Sequence, residues 1–187
     1  MLMAASKTSH RVSFTTAKPF PYGVISNFLP KDKIHQLLSS LKQEPFSLKD
    51  SDLFTLWQTG ELKENPAFSL LIEKFQSKEW KQQILEMTGI KISSKIYLFG
   101  SLYRKTNHLL PHDDRLEGRK IAFILFLNTL SEKEGGALQL FQRNKVAKKI
   151  YPQQGSLALF EVSEKSIHSI EEIHSGERWA LTGWFYG

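Results

Sequence analysis

The chain has 187 residues, of which 41% are hydrophobic, with no cysteine and a formal net charge of +6. That length supports one sizeable core and is short for two ordinary domains, while the lack of cysteine excludes disulfides and thiolate metal sites, leaving nitrogen and oxygen as the only metal ligands. The basic balance does not imply a dedicated nucleic-acid patch, because the lysines are scattered among glutamates and not massed in one block.

Residues 1–18 are rich in Ser and Thr and have no apolar secretory core, so they read as a flexible tail ahead of a single domain over 19–187. Tyr22-Gly23-Val24-Ile25 predicts a short strand. A helix is expected to begin with Pro30 as its first helical residue. Ile34, Leu37, Leu38 and Leu41 recur at helical spacing until Pro45. A second helix is predicted over 66–87, with Phe68, Leu71, Ile72, Phe75, Trp80 and Ile84 as its apolar stripe and Gly89 as its stop.

From Ile90 the pattern changes to short β-branched and aromatic runs separated by turn residues. Strands are predicted over 95–103, 109–113, 121–128, 137–142, 148–151, 156–162, 166–173 and 178–186. Helices followed by eight strands predict an α+β chain whose β part is a sandwich or jelly-roll barrel with the helices outside. The longest apolar run, Ile121 to Leu127, is far below a membrane span, and a cytoplasmic protein without a membrane partner is expected.

In Leu110-Pro111-His112-Asp113-Asp114 an imidazole and a carboxylate stand two residues apart, and side chains at that spacing in an extended segment share a face. His112 and Asp114 can then share an ion, with His168 arriving from another strand. Two imidazoles and one carboxylate form the facial set that suits non-haem Fe(II). A histidine beside two aspartates is equally a feature of solvated loops. His10, His35, His108 and His174 are competing ligands, the last two read as loop residues. Asp113 should point away and pair with Arg115 or Arg119.

Arg178 opens the last predicted strand and shares a face with Ala180, Thr182 and Trp184. If that face is interior, the guanidinium requires an anion. A dicarboxylate that chelates the metal at its other end would satisfy both sites. The alternative is a surface arginine paired with Glu177 or Glu161.

The run from His112 through Arg119 to Leu127, then Gly135-Gly136-Ala137-Leu138-Gln139-Leu140, then Leu159-Phe160-Glu161-Val162-Ser163 before Ile167-His168, and Arg178 to Gly187 resembles the 2-oxoglutarate-dependent prolyl hydroxylases. It is most similar to the Ofd/Tpa-type branch that modifies a ribosomal protein, and more distantly to the hypoxia-sensor enzymes. The resemblance spans Tyr22 to Gly187, including Ser51-Asp52-Leu53-Phe54, which is similar to a family loop near the catalytic mouth.

The resemblance implies a double-stranded β-helix and an Fe(II)- and 2-oxoglutarate-dependent dioxygenase releasing succinate and CO2, with ascorbate as a further cofactor. Its substrate would be a proline-containing protein or peptide, ribosomal or otherwise. By the same resemblance His112, Asp114 and His168 are the catalytic iron ligands, Arg178 grips the distal carboxylate of 2-oxoglutarate, and Tyr103 and Thr182 assist. Phe126 stands where the family usually has a tyrosine bonded to that carboxylate, a bond of about 1.5–3 kcal/mol. The chain ends at Gly187, so the second, non-catalytic barrel of eukaryotic members is expected to be missing. The competing readings are hydroxylation of a residue other than proline and a non-catalytic barrel that binds a peptide or sugar. Acceptor choice is expected to lie in loops over 49–61 and 107–110.

Overall fold

A computed structural model describes Phe14 and residues 17–187. The strands are β1 (Tyr22–Ile25), β2 (Ser47–Asp50), β3 (Phe54–Glu61), β4 (Ile96–Tyr103), β5 (His108–His112), β6 (Arg119–Phe126), β7 (Leu138–Gln142), β8 (Lys145–Ile150), β9 (Leu157–Glu161), β10 (His168–Ile170) and β11 (Arg178–Tyr186). All pairings are antiparallel, in the order β1-β9-β6-β11-β4-β3-β5-β10-β7-β8, with β2 paired to β3. The sheet curls into a half-barrel, the double-stranded β-helix arrangement, with its helices on one outer face.

Side-chain alternation along the central strands produces two cores. Ile121, Phe123 and Leu125 of β6, Leu157 and Leu159 of β9, and Trp179, Leu181 and Phe185 of β11 face the helices. The intervening Ala122, Ile124, Phe126, Ala158, Phe160 and Ala180 face the barrel interior. The helix-side core is the more aromatic at its centre. Phe75 packs at 5.0–5.8 Å between ring centroids against Phe28, Trp80, Phe123 and Phe185.

Helix α1 (Lys31–Leu41) buries Ile34, Leu37 and Leu41 as the periodicity predicts. Pro30 is its N-cap and not its first helical residue, because its ψ of 150° is extended. The helix predicted over 66–87 is three pieces: a 3-10 turn (Pro66–Phe68), α2 (Ser69–Gln76) and α3 (Lys78–Thr88). Ser77 breaks it with extended backbone and caps α3 by accepting a 3.0 Å bond from the Trp80 amide. Gly89 stops α3 in the left-handed conformation.

The β2–β3 hairpin corrects the reading of 49–61 as a loop. Ser51 to Phe54 form its turn, closed by the Ser51 amide donating to the Phe54 carbonyl at 2.9 Å. His108, expected in a loop, opens β5, so most of 107–110 is strand as well. The strand predicted over 166–173 is regular only at His168–Ile170, and β8 begins three residues before its predicted start. The predicted tail lies largely outside the described residues; Phe14, which is described, is buried in the helix-side core. Among the described residues no helix is long and apolar enough to cross a membrane.

Replacing Phe75 with Ala should remove a buried ring with four aromatic neighbours and lower stability by about 3–5 kcal/mol. A urea titration followed by far-UV circular dichroism should show the midpoint falling. Divalent-metal affinity of the folded protein should be unaltered, because Phe75 lies on the far side of the sheet from the interior face.

Candidate active site

Strand pairing brings the two histidines together. His168 of β10 stands directly opposite His112 of β5, so both rings project from the same face, 4.4 Å apart between centroids. Each ring is oriented by its own backbone. The Nδ1–H of His112 donates to the Leu110 carbonyl at 2.9 Å, and that of His168 to the Ser166 carbonyl at 2.9 Å. A carbonyl only accepts, so a proton belongs on Nδ1, and Nε2 is the nitrogen that can bind a ligand once it carries no proton.

Both Nε2 atoms face the Asp114 carboxylate, His112 at 3.5 Å from Oδ1 and His168 at 3.4 Å from Oδ2. The three donor groups lie within 4.8 Å of one another, so one ion can touch all three. Asp114 is not in a strand: β5 ends at His112, and 113–118 run as irregular chain. The expected i, i+2 sharing of a face is therefore achieved by irregular chain and not by strand geometry. Asp113 is not in the donor group and pairs with Arg115 at 3.1 Å, although it also borders the cavity.

The electrostatics suit a cation. Burial works to raise the Asp114 pKa, but a hydrogen bond with His112, the two imidazoles and the Trp184 N–H together hold it below the ordinary carboxylate value. For His112 desolvation is outweighed by the Asp114 hydrogen bond, and its pKa is raised; for His168 burial dominates and lowers it. A carboxylate kept ionised between two histidines that offer nitrogen is a donor set fitted to a divalent transition metal. His35, His108 and His174 join no such group. His10 lies outside the described residues.

Arg178 is the second pole of the site. It is 1% exposed, and among the described residues nothing accepts a hydrogen bond from its Nε or Nη2. That excludes the surface pairing with Glu177 or Glu161. Glu177 bonds instead to Arg104 and Trp179. Burial draws the Arg178 pKa down to about 10, with Tyr103 acting in the opposite direction, so the group is charged at neutral pH. Its guanidinium lies 5.2 Å from the ring centres of both Tyr103, its cross-strand neighbour on β4, and Phe126 on β6. Burial pushes the Tyr103 phenol up to about 12, which keeps it a neutral donor.

Gly136, in the left-handed region at φ 75°, packs against the stem of Arg178; a Cβ there would come within 3.3 Å of the arginine Cδ. Thr182 shares a 3.0 Å hydroxyl contact with Ser101. His112, Asp114, His168, Tyr103, Arg178 and Thr182 all border one cavity of about 490 Å³, its walls otherwise mostly apolar. Phe126 is not in the cavity wall, being fully buried behind the guanidinium.

The arrangement is a metal-type donor set and an unpaired cation facing one apolar cavity. The family model for the 2OG-Fe(II) oxygenase superfamily matches residues 98–186, which include every one of these side chains. Residues 98–186 are a 2OG-Fe(II) oxygenase domain. The chain is 34% identical over 191 residues to the mouse protein named prolyl 3-hydroxylase OGFOD1 and 32% identical over 180 residues to that of Xenopus laevis. These matches cover 96% and 90% of this chain and 35% of each relative. The chain thus spans about a third of the length of the curated relatives it matches. A Pseudomonas putida prolyl-4-hydroxylase has the same fold at a TM-score of 0.75 and 20% identity, over 88% of this chain and 91% of that one.

The oxygenase family uses Fe(II) and 2-oxoglutarate, and the residues present fit both. The His, Asp and His donors suit the ion, and the unpaired guanidinium suits a carboxylate. Ser101 and Arg119 also border the cavity and escaped the sequence reading as site residues. Ser101 was legible through its i, i+2 spacing from Tyr103.

Replacing His168 with Ala should weaken Mn(II) binding to the metal-free protein by about 100-fold or more, since a ligand is lost together with the carboxylate's neighbour. Isothermal titration at neutral pH checks this, with His35→Ala expected to bind as the native protein does.

Proposed function

We propose that this chain hydroxylates a prolyl residue of a protein substrate, with His112, Asp114 and His168 holding Fe(II) and Arg178 holding the distal carboxylate of 2-oxoglutarate. The observation that carries the reading is the unpaired, fully buried Arg178 on the same cavity as the His, Asp and His donors. A charge so placed is stabilised when a ligand of opposite sign enters. The curated relatives named prolyl 3-hydroxylase support proline as the acceptor. We extend the reading to a ribosomal-protein acceptor and ascorbate as reductant, which follow from the sequence resemblance, and to a cytoplasmic location, which follows from the sequence composition.

When bound, Fe(II) and 2-oxoglutarate supply an oxidation in which the cosubstrate loses CO2 to become succinate and one oxygen atom of O2 enters a C–H bond of the acceptor. The protein's part is placement. The two Nδ1–H bonds to backbone hold the imidazoles so that Nε2 faces the ion. The guanidinium of Arg178 offers Nε and Nη donors to a carboxylate, the geometry in which arginine binds most strongly. Tyr103 presents a phenol that stays protonated. The Ser101 and Thr182 hydroxyls give a polar foothold between the two poles.

Apolar walls that include Leu56, Leu109, Ile124, Phe160 and Ile170 would exclude water from this space once an acceptor fills its open side. Leu53 and Phe54, at the β2–β3 turn, border the same cavity and would flank an entering prolyl ring.

The test is 2-oxoglutarate turnover with Fe(II), read as succinate released, together with mass spectrometry of a proline-containing acceptor for the gain of one oxygen. Absence of both would sink the proposal. Arg178→Met should raise the 2-oxoglutarate dissociation constant by roughly 30-fold or more, the equivalent of about 2–5 kcal/mol for a truncated buried partner. Its cosubstrate-free protein should melt no lower than native, because the variant removes an unpaired buried charge. Phe126→Tyr should leave 2-oxoglutarate affinity close to native, because that ring lies outside the cavity wall. Both are checked by titration of the Mn(II)-loaded protein.

A further inference from the structure

Asp114 is the one member of the donor set that no strand holds, since β5 ends at His112 and 113–118 are irregular. A carboxylate on a free segment would have many rotamers and a poorly defined direction. Three features converge on that segment. Arg119 donates through Nη1 to the Asp114 carbonyl at 3.3 Å. Its guanidinium lies 3.5 Å from the ring centre of Trp184 on β11. Trp184 in turn has a buried indole N–H without a hydrogen-bond partner of good geometry, near enough to Asp114 to favour the ionised carboxylate.

The position of Arg119 has a specific backbone cause. Strict alternation would put Arg119 on the helix side with Ile121 and Phe123. The β6–β11 ladder pairs Ile121 with Phe185 and then Arg119 with Tyr186, so one extra residue is accommodated on β6. This irregularity turns Arg119 to the cavity side, where it borders the same space as Asp114 and Trp184. Bulges next to functional sites commonly re-aim a side chain in this way.

We propose that Arg119 is a positioning residue for the metal's carboxylate ligand, clamping the Asp114 segment to the face of Trp184. It holds the segment by its backbone carbonyl and leaves both carboxylate oxygens free for the histidine side of the site. Groups one step removed from a metal commonly control its affinity by about 10–100-fold. A planar fork is needed, because only a guanidinium can lie on the indole and donate in plane at the same time.

The inference rests on the proposed role of His112, Asp114 and His168 as metal ligands, and Mn(II) binding to the metal-free protein, followed by electron paramagnetic resonance without 2-oxoglutarate, separates the two. The native protein should bind Mn(II). Arg119→Met and Arg119→Lys should each weaken it by about tenfold or more, while the melting temperature of the metal-free protein stays at the native value. Trp184→Phe, which removes the indole N–H, should weaken binding as well, and the double variant with Arg119→Met should be no worse than additive and nearer to the poorer single variant. Native Mn(II) affinity in a folded Arg119→Lys or Arg119→Met protein would overturn the clamp. No Mn(II) binding by the native protein would overturn the metal-site reading itself, and the clamp with it.

Discussion

The buried guanidinium of Arg178 is the constraint around which the interior is arranged. Placing a charge in a protein interior without a counter-charge opposes folding by several kcal/mol even after relaxation. Two features reduce that penalty while no ligand is bound. Tyr103 and Phe126 each present a ring 5.2 Å from the cation, and cation–π attraction strengthens as water is removed. Gly136 allows close packing along the arginine's stem. Phe126 is understandable in these terms: a phenol at that fully buried position would bring a hydroxyl requiring its own partner when the cosubstrate is away.

Direct opposition across antiparallel strands does most of the placing. Arg178 faces Tyr103 across β11 and β4, and His168 faces His112 across β10 and β5. Neighbours of this kind inherit their separation from the ladder, so the two poles of the site are located by backbone hydrogen bonds before any side chain is considered. Asp114 is the exception. Its segment lies at the open side of the cavity with exposed Leu116, where a ladder would have closed the entrance. The access that an incoming molecule requires and the fixity that a metal-type donor requires conflict at this one residue, and there, unlike at the histidines, the supporting side-chain contacts come from β6 and β11.

Elements with a strong period were legible in the sequence. The α1 stripe, the eight strands from β4 onward and the alternation of Arg178, Ala180, Thr182 and Trp184 all follow from spacing, and the His112, Asp114 and His168 set was recognisable as a unit. What escaped the sequence lacked a strong local signature. The break at Ser77 involves neither Pro nor Gly, and its one trace is faint: a five-residue step from Phe75 to Trp80, where a continuous helix would place an apolar residue at 78 or 79. Strand β2 is exposed at every position and is held only by pairing with β3, so its burial pattern carries no alternation. The inward turn of Arg119 depends on a register irregularity between two strands about sixty residues apart in sequence, information that belongs to the pairing and not to either segment.

The same alternation separates stability from function across the thickness of one sheet. The helix side of β4, β6 and β11 carries large rings and aliphatics packed on three helices. The interior side carries Ser101, Ala122 and Thr182, and these small residues are what leave a cavity open beside Arg178 and the histidines. A domain is held together by a small net free energy, so an unpaired charge and an open cavity are tolerable only if cohesion comes from elsewhere. Here it comes from the opposite face of the same strands. Each of these strands is bound to the helices by one set of residues and to ligands by the alternate set. The helix-side packing therefore keeps the spacing between β6, β11 and β4 rigid, and with it the distances from Arg178 to Phe126 and Tyr103, with Phe123 the only one of these helix-side side chains that borders the cavity.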